Sequence, residues 1–251
     1  MGRVSSDPAV RVVQLSDTHL SAALGVPAQW PAARDWINAD PPDLVVHTGD
    51  IVLVDPDDGD DREFAVALMA EIEAPFVALP GNHDVGFFDE PEHFERRIAT
   101  FCEAWGADRF SIDLGRWRVV GADTYRFGDE QHDRWLASAV ASDRPTLLFT
   151  HQPLAGEPAD GWELPAASRA AAARAIAQGE VRIVATGHRH RHWAGGRAAW
   201  CPSMTILGSD PWDPVPGSGW RLDDSDGRHG IIEHRLGPDG THDHAVIRPW
   251  D

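Results

Sequence analysis

Five short segments of the sequence carry side chains that bind metal ions, and each follows a run of apolar residues. The segments read Asp-Thr-His, Gly-Asp, Gly-Asn-His-Asp, a single His, and Gly-His-Arg-His. The apolar run before each one has the length and the β-branched content of a buried strand. The candidate ligands in these segments are Asp17, His19, Asp50, Asn82, His151, His188 and His190.

Aspartate, histidine and asparagine together form the ligand set of a transition metal ion. Because ligands bind at the carboxyl ends of the strands in an open α/β sheet, we expect the five loops to meet at one edge. Seven such groups exceed the needs of one ion, and with one bridging carboxylate they suit two ions about 3.5–4 Å apart. Each segment alone is a weak signal, but the ordered set predicts a dinuclear metal site.

The elements that must position these residues alternate between strands and helices. Apolar runs predict strands at 10–15, 44–47, 76–79, 117–122, 146–149 and 181–185. Amphipathic or alanine-rich segments predict helices at 31–40, 60–74, 91–106, 129–142 and 165–179. This alternation is typical of an α/β fold.

The pattern changes after Gly195, where helical periodicity stops and short apolar segments alternate with turns. The sequence Gly-Pro-Asp-Gly at 237–240 predicts a hairpin turn between the last two segments. We therefore expect 196–251 to form antiparallel strands that complete a second sheet. No long linker interrupts the chain, so residues 1–251 are predicted to form a single domain.

The charge of the chain restricts its partners. It has 40 acidic residues against 22 basic ones, a formal net charge of -18, and no lysine. Such a surface repels nucleic acid and anionic membranes, since phosphate backbones are bound by basic surfaces. A small anionic substrate fits only if a strongly positive centre receives it.

Cysteine content and the amino terminus predict a cytoplasmic protein. Cys102 and Cys201 are far apart and form no Cys-x-x-Cys pair, which favours two reduced thiols. The first residues contain no long apolar segment of the kind found in signal peptides. No apolar run reaches the ~18 residues of a membrane span, so no membrane association is expected.

The order of the five segments resembles that of the calcineurin-like metallophosphoesterases, from Val12 to His190. The later segments Cys-Pro-Ser-Met-Thr-Ile-Leu and Gly-Ser-Gly-Trp-Arg-Leu are similar to strands of bacterial class III cyclic nucleotide phosphodiesterases. The resemblance implies a four-layer αββα sandwich, in which two mixed sheets are flanked by helices, with a dinuclear site at its edge. It also allows a homodimer.

The resemblance further implies a role for each site residue. One ion would be held by Asp17, His19, Asp50 and His190. The other would be held by Asp50, Asn82, His151 and His188, with Asp50 bridging. The ions would be iron or manganese, with zinc as an alternative. His83 would be the catalytic histidine that faces the scissile phosphate.

The implied activity is hydrolysis of a small phosphodiester, such as a 3′,5′-cyclic nucleotide, by a hydroxide that bridges the two ions. Phosphomonoesters, nucleotides and glycerophosphodiesters are alternative substrates of the same chemistry. A non-catalytic scaffold of this fold is a further alternative, but such scaffolds tend to lose ligands that this chain retains. The Gly-Asn-His-Asp segment differs from the Gly-Asn-His-Glu of phosphoprotein phosphatases, which argues against a protein phosphatase. A purple acid phosphatase needs a tyrosine ligand soon after the bridging aspartate, and the only tyrosine is Tyr125.

One position departs from the pattern of many family members. They carry a carboxylate three residues after the bridging aspartate, where it orients the catalytic histidine, and this chain has Leu53 there. Either Asp55 replaces that carboxylate, or another group such as Asp84 holds His83. The sequence leaves these alternatives open.

The sequence also predicts positions for other tryptophans and histidines. Trp162 and Trp212 lie in Gly- and Pro-rich loops, where they either pack the loop or form a lid that stacks on a nucleobase. His47 is expected to pack in the sheet beside the ligands, and His192 to face solvent or substrate. The histidines of the polar carboxyl-terminal strands are expected to lie at the surface, namely His229, His234, His242 and His244.

Overall fold

A computed structural model describes residues 9–53, 56–86, 91–154, 163–202, 204 and 229–251. Its first half contains β1 (Val10–Leu15), α1 (Trp30–Ala39), β2 (Leu44–His47), α2 (Gly59–Met69), β3 (Phe76–Ala78), α3 (Asn82–Val85), α4 (Pro91–Trp105), β4 (Phe110–Leu114) and β5 (Trp117–Gly121). A 3₁₀ turn at Thr124–Arg126 follows. The second half contains α5 (Glu130–Val140), β6 (Thr146–Thr150), α6 (Ala166–Ile176), β7 (Val181–Thr186), β8 (Trp193–Gly195), β9 (Ala198–Trp200), β10 (Ile231–Leu236) and β11 (His242–Ile247).

The described strands form two mixed sheets. One has the order β11-β10-β1-β2-β3, and the other has the order β4-β5-β6-β7-β9-β8. Strands β1, β2 and β3 are parallel to one another, as are β5, β6, β7 and β9, while the remaining strands are antiparallel to their neighbours. Each sheet therefore has a parallel centre whose strand ends point to one edge.

The two sheets pack face to face through alternate residues of their central strands. On β1, Val12 joins the apolar cluster between the sheets, and Val13 joins the cluster on the opposite face. On β6, Leu147 and Phe149 face the other sheet while Leu148 faces outward. This alternation follows from the period of two in a strand.

Helices cover the two outer faces. The cluster outside the first sheet includes Trp30 and Ile37 of α1, Leu68 of α2 and Phe101 of α4. The cluster outside the second sheet includes Leu136 of α5 together with alanines of α6. The layers therefore run helix, sheet, sheet, helix, which confirms the predicted four-layer αββα sandwich.

Local sequence signals explain where the helices begin. Asp58 accepts hydrogen bonds from the backbone N–H groups of Asp60 and Asp61 at the start of α2. Asp129 does the same for Gln131 and His132 at the start of α5. Such amino-terminal caps satisfy donors that have no partner inside the helix.

The structure differs from the predicted elements in several places. β4 was not predicted, although Phe110, Ile112 and Leu114 alternate with polar residues as in a strand with one buried face. The short elements α3 and β8 were not predicted either. The described strands of 196–251 do not join one sheet. β9 pairs in parallel with β7 in the six-stranded sheet, whereas the β10–β11 hairpin pairs with β1 in the other sheet. Neither thiol of Cys102 and Cys201 is in a disulfide, as predicted.

Candidate metal centre

The loops that follow β1, β2, β6 and β7 are tied to one another by backbone hydrogen bonds. The N–H groups of Asp17 and His19 donate to the carbonyls of Gly49 and Asp50, each over 3.0 Å. The N–H of Gly187 donates to the carbonyl of His151 over 2.9 Å. The parallel strands therefore deliver their loops to one edge, as the sequence predicted.

Two groups of ligand atoms result, and they share one carboxylate. The first group consists of Asp17, His19, Asp50 and His190, and the second contains Asp50, His151 and His188. Within each group the ligand atoms lie within 4.8 Å of one another. Asn82 adjoins the second group, because its Oδ1 lies 3.1 Å from Nε2 of His151. All seven predicted ligands are thus brought together.

The second group places acceptors against one another. Nδ1 of His151 lies 2.8 Å from the carbonyl of Thr48, which can only accept, so Nδ1 carries a proton and the lone pair of the neutral ring is on Nε2. That Nε2 faces Oδ1 of Asn82 at 3.1 Å and Oδ1 of Asp50 at 3.4 Å. Turning the Asn82 amide would relieve only the first of these contacts. Lone pairs that converge in a buried site fit a cation between them.

The first group also brings histidine nitrogens and a carboxylate oxygen close together. Nε2 of His19 and Nε2 of His190 lie 3.0 Å apart, and Nε2 of His190 lies 3.4 Å from Oδ1 of Asp17. Asp17 is fully buried and accepts hydrogen bonds from the hydroxyl of Ser16 and the N–H of His188. Burial alone would raise the pKa of Asp17, but hydrogen bonding and charge from His190 hold that pKa far below its usual value. The carboxylate is therefore ionised, as a metal ligand must be.

Backbone strain coincides with these ligands. Among the described residues other than glycine, positive φ angles occur at Asp17 (51°), His19 (45°), Asp50 (54°), His188 (67°) and His190 (52°). The left-handed region costs such residues of order 1–3 kcal/mol each and persists where the surroundings enforce it. All five residues are predicted ligands, so the strain is concentrated at the metal centre.

Two glycines of the motifs allow the loops to approach closely. A Cβ on Gly187 would lie 1.9 Å from Oγ of Ser16 and 2.7 Å from Oδ2 of Asp17. A Cβ on Gly81 would lie 2.2 Å from Oδ1 of Asp50. These glycines are needed because the ligand carboxylates occupy the space that a side chain would fill.

His83 lies between the bridging aspartate and the Leu53 backbone. Its N–H donates to Oδ1 of Asp50 over 2.8 Å, and its ring centre lies 4.7 Å from that of His19. Its Nδ1 makes a short hydrogen bond to the backbone carbonyl of Leu53. The residue that replaces the expected carboxylate thus contacts His83 through its main chain.

Asp84 is one of the two residues suggested to replace that carboxylate, and its hydrogen bonds are to backbone N–H groups. Its Oδ1 accepts from the N–H groups of Ile51 and Val52, and its Oδ2 accepts from the N–H of Gly81. Burial, with the charge of Asp50, raises the pKa of Asp84 to about 7. Asp84 therefore fixes the loop after the Asp50 turn. Asp55, the other substitute, lies outside the described residues, as do Trp162 and Trp212.

The structure also gives the positions of the histidines that were not predicted to be ligands. His47 is fully buried, with Nε2 3.0 Å from the Thr18 hydroxyl, and burial lowers its pKa to about 3. His192 contacts His244 over 3.4 Å between their Nε2 atoms. The prediction of a surface position is wrong for His234, which is 0% exposed and hydrogen-bonded to Gln14.

Two backbone groups with a role at the site were not predicted, namely the carbonyls of Leu53 and Thr48, which orient His83 and His151. Every residue has such a carbonyl, so no residue type marks them. Arg189, which lies between the ligands His188 and His190, was not singled out either. It is buried, and its guanidinium lies 5.9 Å from the ring centre of Trp200.

Comparison with known proteins identifies relatives of the chain. The sequence profile described as Calcineurin-like phosphoesterase matches residues 10–192. "Serine/threonine-protein phosphatase CPPED1" of Bos taurus is 30% identical over 148 residues, which is 52% of this chain and 46% of that protein. "3',5'-cyclic adenosine monophosphate phosphodiesterase CpdA" of Escherichia coli (strain K12) is 29% identical over 167 residues, 59% of this chain and 57% of that protein.

The chain thus spans about half the length of these curated relatives. Among solved structures, purple acid phosphatase PPD1 from yellow lupin (Lupinus luteus) seeds superposes with a TM-score of 0.69 at 15% identity. That likeness covers 98% of this chain and 52% of the lupin protein, and it shows a shared fold. In the described residues, no helix is long and apolar enough to cross a membrane.

Proposed function

The chain belongs to the calcineurin-like phosphoesterase family, and we propose that it hydrolyses small phosphodiesters of the 3′,5′-cyclic nucleotide kind at the candidate metal centre. Family membership makes it a hydrolase of phosphoric ester bonds. The restriction to cyclic nucleotides is more specific than family membership. The CpdA relative, which is named for cyclic AMP, supports it.

One observation carries the proposal. Two groups of ligand atoms share Asp50, and Oδ1 of that aspartate also accepts the backbone N–H of His83. The main chain of the histidine that would act on the substrate is thus held by the carboxylate that would bridge the ions. A protein that used metal only for stability would not need a histidine at this position.

Two cations held by these residues would supply Lewis acidity and an activated water for attack on phosphorus. The chain's own residues hold the ligands in place. Thr48 fixes His151 with Nε2 unprotonated, and Ser16 and His188 N–H fix the carboxylate of Asp17. Ligands that are fixed before binding lose little freedom when the substrate arrives.

His83 is positioned to manage the proton of the leaving alkoxide. Since Nδ1–H donates to the carbonyl of Leu53, the nitrogen that exchanges a proton is Nε2. His83 is only partly buried and lies at the edge of the sandwich. Proton transfer from such a positioned histidine typically accelerates the reaction by ~10²–10⁴-fold.

The charge of the chain supports a small substrate. A formal net charge of -18 disfavours the polyanionic backbone of nucleic acid. A small phosphodiester carries one negative charge, which two cations in a cleft can offset locally. The substrate class therefore agrees with both the acidic surface and the ligand groups.

The experiment that tests the proposal is an assay of metal-reconstituted protein on bis-(p-nitrophenyl) phosphate, p-nitrophenyl phosphate, cyclic AMP and a glycerophosphodiester. We expect turnover of the phosphodiesters with a higher kcat/KM than that of the monoester, and cleavage of cyclic AMP among the natural esters. Equal or greater kcat/KM on the monoester would contradict the diester preference. Absence of turnover on every ester, with both ions bound, would contradict the proposal that the protein is an enzyme.

Phosphomonoester hydrolysis is the second candidate. It is favoured by the CPPED1 relative, which is named as a protein phosphatase and matches 52% of this chain. The same ligand groups serve both reactions, so the panel of esters separates them. A non-catalytic scaffold is disfavoured because all seven ligands and His83 are retained.

The metals and the cellular setting belong to the proposal as well. Imidazole and carboxylate ligands suit iron, manganese and zinc. We propose iron or manganese in the centre, with zinc as an alternative, and a cytoplasmic protein that forms a homodimer. Elemental analysis of the purified protein tests the identity of the metals. The mass of the protein in solution tests the homodimer.

A further inference from the structure

Four histidines that the dinuclear centre does not use lie together at the β10–β11 hairpin. His192 follows the last ligand segment, His234 belongs to β10, and His242 and His244 lie on one face of β11. Ring centres are 5.3 Å apart for His234 and His242, and 5.6 Å apart for His242 and His244. The separation is 6.1 Å for His234 and His244 and 5.6 Å for His192 and His244. We call these residues the four-histidine cluster.

We infer that the four-histidine cluster binds one transition metal ion of the zinc class, at a site separate from the dinuclear centre. None of its residues belongs to either ligand group of that centre. Neutral imidazole is a ligand common to zinc, copper and nickel. An array of histidines without carboxylate ligands favours these ions over magnesium, calcium and manganese.

The proton on His234 can be assigned from its neighbours. The amide nitrogen of Gln14 donates to the carbonyl of Thr186 and the hydroxyl of Thr48, which leaves Oε1 of Gln14 as an acceptor. Nε2 of His234 lies 3.1 Å from this oxygen and therefore carries the proton. Nδ1 of His234 then presents a lone pair, 3.0 Å from Nε2 of His242. A histidine fixed in this way through its other nitrogen is typical of metal ligands.

The second pair of nitrogens has the spacing expected across an ion. Nε2 of His192 and Nε2 of His244 lie 3.4 Å apart, which is longer than the ~2.7–3.2 Å of an ordinary hydrogen bond. Two nitrogens bound at about 2.0–2.1 Å to one tetrahedral ion are roughly 3.3 Å apart. The 3.0 Å between Nδ1 of His234 and Nε2 of His242 is the length of an ordinary hydrogen bond, so an ion would replace that bond. Rotation of His242 and His244 is needed for all four nitrogens to converge on one ion.

The surroundings keep these rings neutral. Burial lowers the pKa of His242 to about 4 and lowers the pKa of His234 well below its usual value. The ring of Phe149 lies 5.5 Å from His234, and that of Trp117 lies 6.4 Å from His242. Neutral rings against an apolar wall keep their lone pairs available at neutral pH, which is the form that binds a metal.

An ion in this cluster would link the ligand loop to the hairpin. His192 lies two residues after the ligand His190, whereas the other three histidines belong to strands at the end of the chain. The proposed ion would therefore stabilise the fold near the dinuclear centre without touching the substrate. Its test can rest on metal content and coordination, independently of catalysis.

The experiment measures zinc bound to the full chain. Wild-type protein is equilibrated with Zn²⁺, dialysed and analysed for metal content, in parallel with the double variant His242→Gln/His244→Gln. We expect wild type to retain one ion more per chain than the double variant. The matched control is His93→Gln, which removes a half-exposed histidine outside the cluster and is expected to retain the wild-type amount. Asp50→Asn, which disrupts the dinuclear centre, is expected to retain the cluster's ion.

Anomalous scattering at the zinc edge from wild-type crystals gives a second measurement that needs no variant. We expect a peak about 2.0–2.1 Å from imidazole nitrogens of the cluster. Equal zinc content in wild type and the double variant would overturn the inference, and so would a crystal with zinc in the dinuclear centre but none in the cluster. Because these readouts do not involve turnover, an inactive protein with an occupied cluster would contradict only the proposed function.

Discussion

The imidazole of His83 is hydrogen-bonded through Nδ1 to the backbone carbonyl of Leu53, while the backbone N–H of His83 donates to the carboxylate of Asp50. The main chain of residue 53 thus contacts the ring at the position where many relatives have a carboxylate. A carbonyl oxygen is a weaker acceptor than a carboxylate, since it carries no net charge. It fixes the tautomer of His83 without placing a negative charge beside the ring.

Replacing His83 with Ala is expected to lower kcat by ~10²–10⁴-fold with little change in metal content, because the ring is assigned to the substrate and is not a ligand. His83→Asn, which keeps a polar group of similar reach, should be similarly impaired in proton transfer. The measurement is steady-state kinetics on bis-(p-nitrophenyl) phosphate with elemental analysis of the same samples. Unchanged turnover with unchanged metal would show that His83 has no catalytic role.

Asp50→Asn is expected to weaken binding of both ions, whereas His19→Asn and His151→Asn should each affect mainly one of them. The reason is that only Asp50 belongs to both ligand groups. Activity of Asp50→Asn should fall by more than the ~10–100-fold typical for the loss of a group that only orients a ligand. Metal titration followed by calorimetry makes the comparison. If Asp50→Asn lost a single ion, the assignment of a shared carboxylate would be wrong.

Gly187→Ala is expected to lower both stability and metal affinity, since the new methyl group would overlap Ser16 and approach the carboxylate of Asp17. Overpacking of this kind typically costs about 1–3 kcal/mol in the free energy of unfolding. The matched control is Gly59→Ala, where the nearest atom to the added Cβ lies 3.8 Å away. Chemical denaturation compares the two variants. Equal stability in both would mean that the loop after β7 has more space than the structure shows.

The stability of the protein should depend on pH through Asp123, which is fully buried and belongs to neither group of candidate metal ligands. Burial raises the pKa of this carboxyl to about 8, so its folded-state pKa exceeds its unfolded value of ~3.9. Folding then favours the protonated form, and stability is lost as the pH rises from about 4 through about 8.

Asp123→Asn removes that dependence, because the amide oxygen can still accept from the N–H of Tyr125 but carries no charge. We expect the variant to gain thermal stability over wild type at pH 8–9 and to gain little near pH 4. Asp113→Asn is the control. Arg118 lowers the pKa of Asp113, so its effect should be constant between pH 5 and pH 9. A gain for Asp123→Asn that does not change with pH would contradict a protonated Asp123.

The sequence was sufficient to predict that the seven candidate ligands lie together, since each one follows a buried strand and belongs to a residue type that metals require. It was not sufficient to predict how His83 and His151 are held, because the groups that hold them are backbone carbonyls. The interior position of His234 was missed for a different reason. β10 contains polar residues at 233–235, which favour an exposed strand, but it lies inside the sheet between β1 and β11. Only the tertiary structure brings the side chain of Gln14 within hydrogen-bonding distance of His234.

The measurement that tests the account most directly is anomalous scattering from crystals of the protein loaded with manganese or iron. We predict two peaks about 3.5–4 Å apart, both within bonding distance of the Asp50 carboxylate. One peak should be coordinated by Asp17, His19 and His190, and the other by Asn82, His151 and His188. Crystals that showed no metal at Asp50, or a single ion there at saturating concentration, would contradict the dinuclear centre on which the proposed function depends.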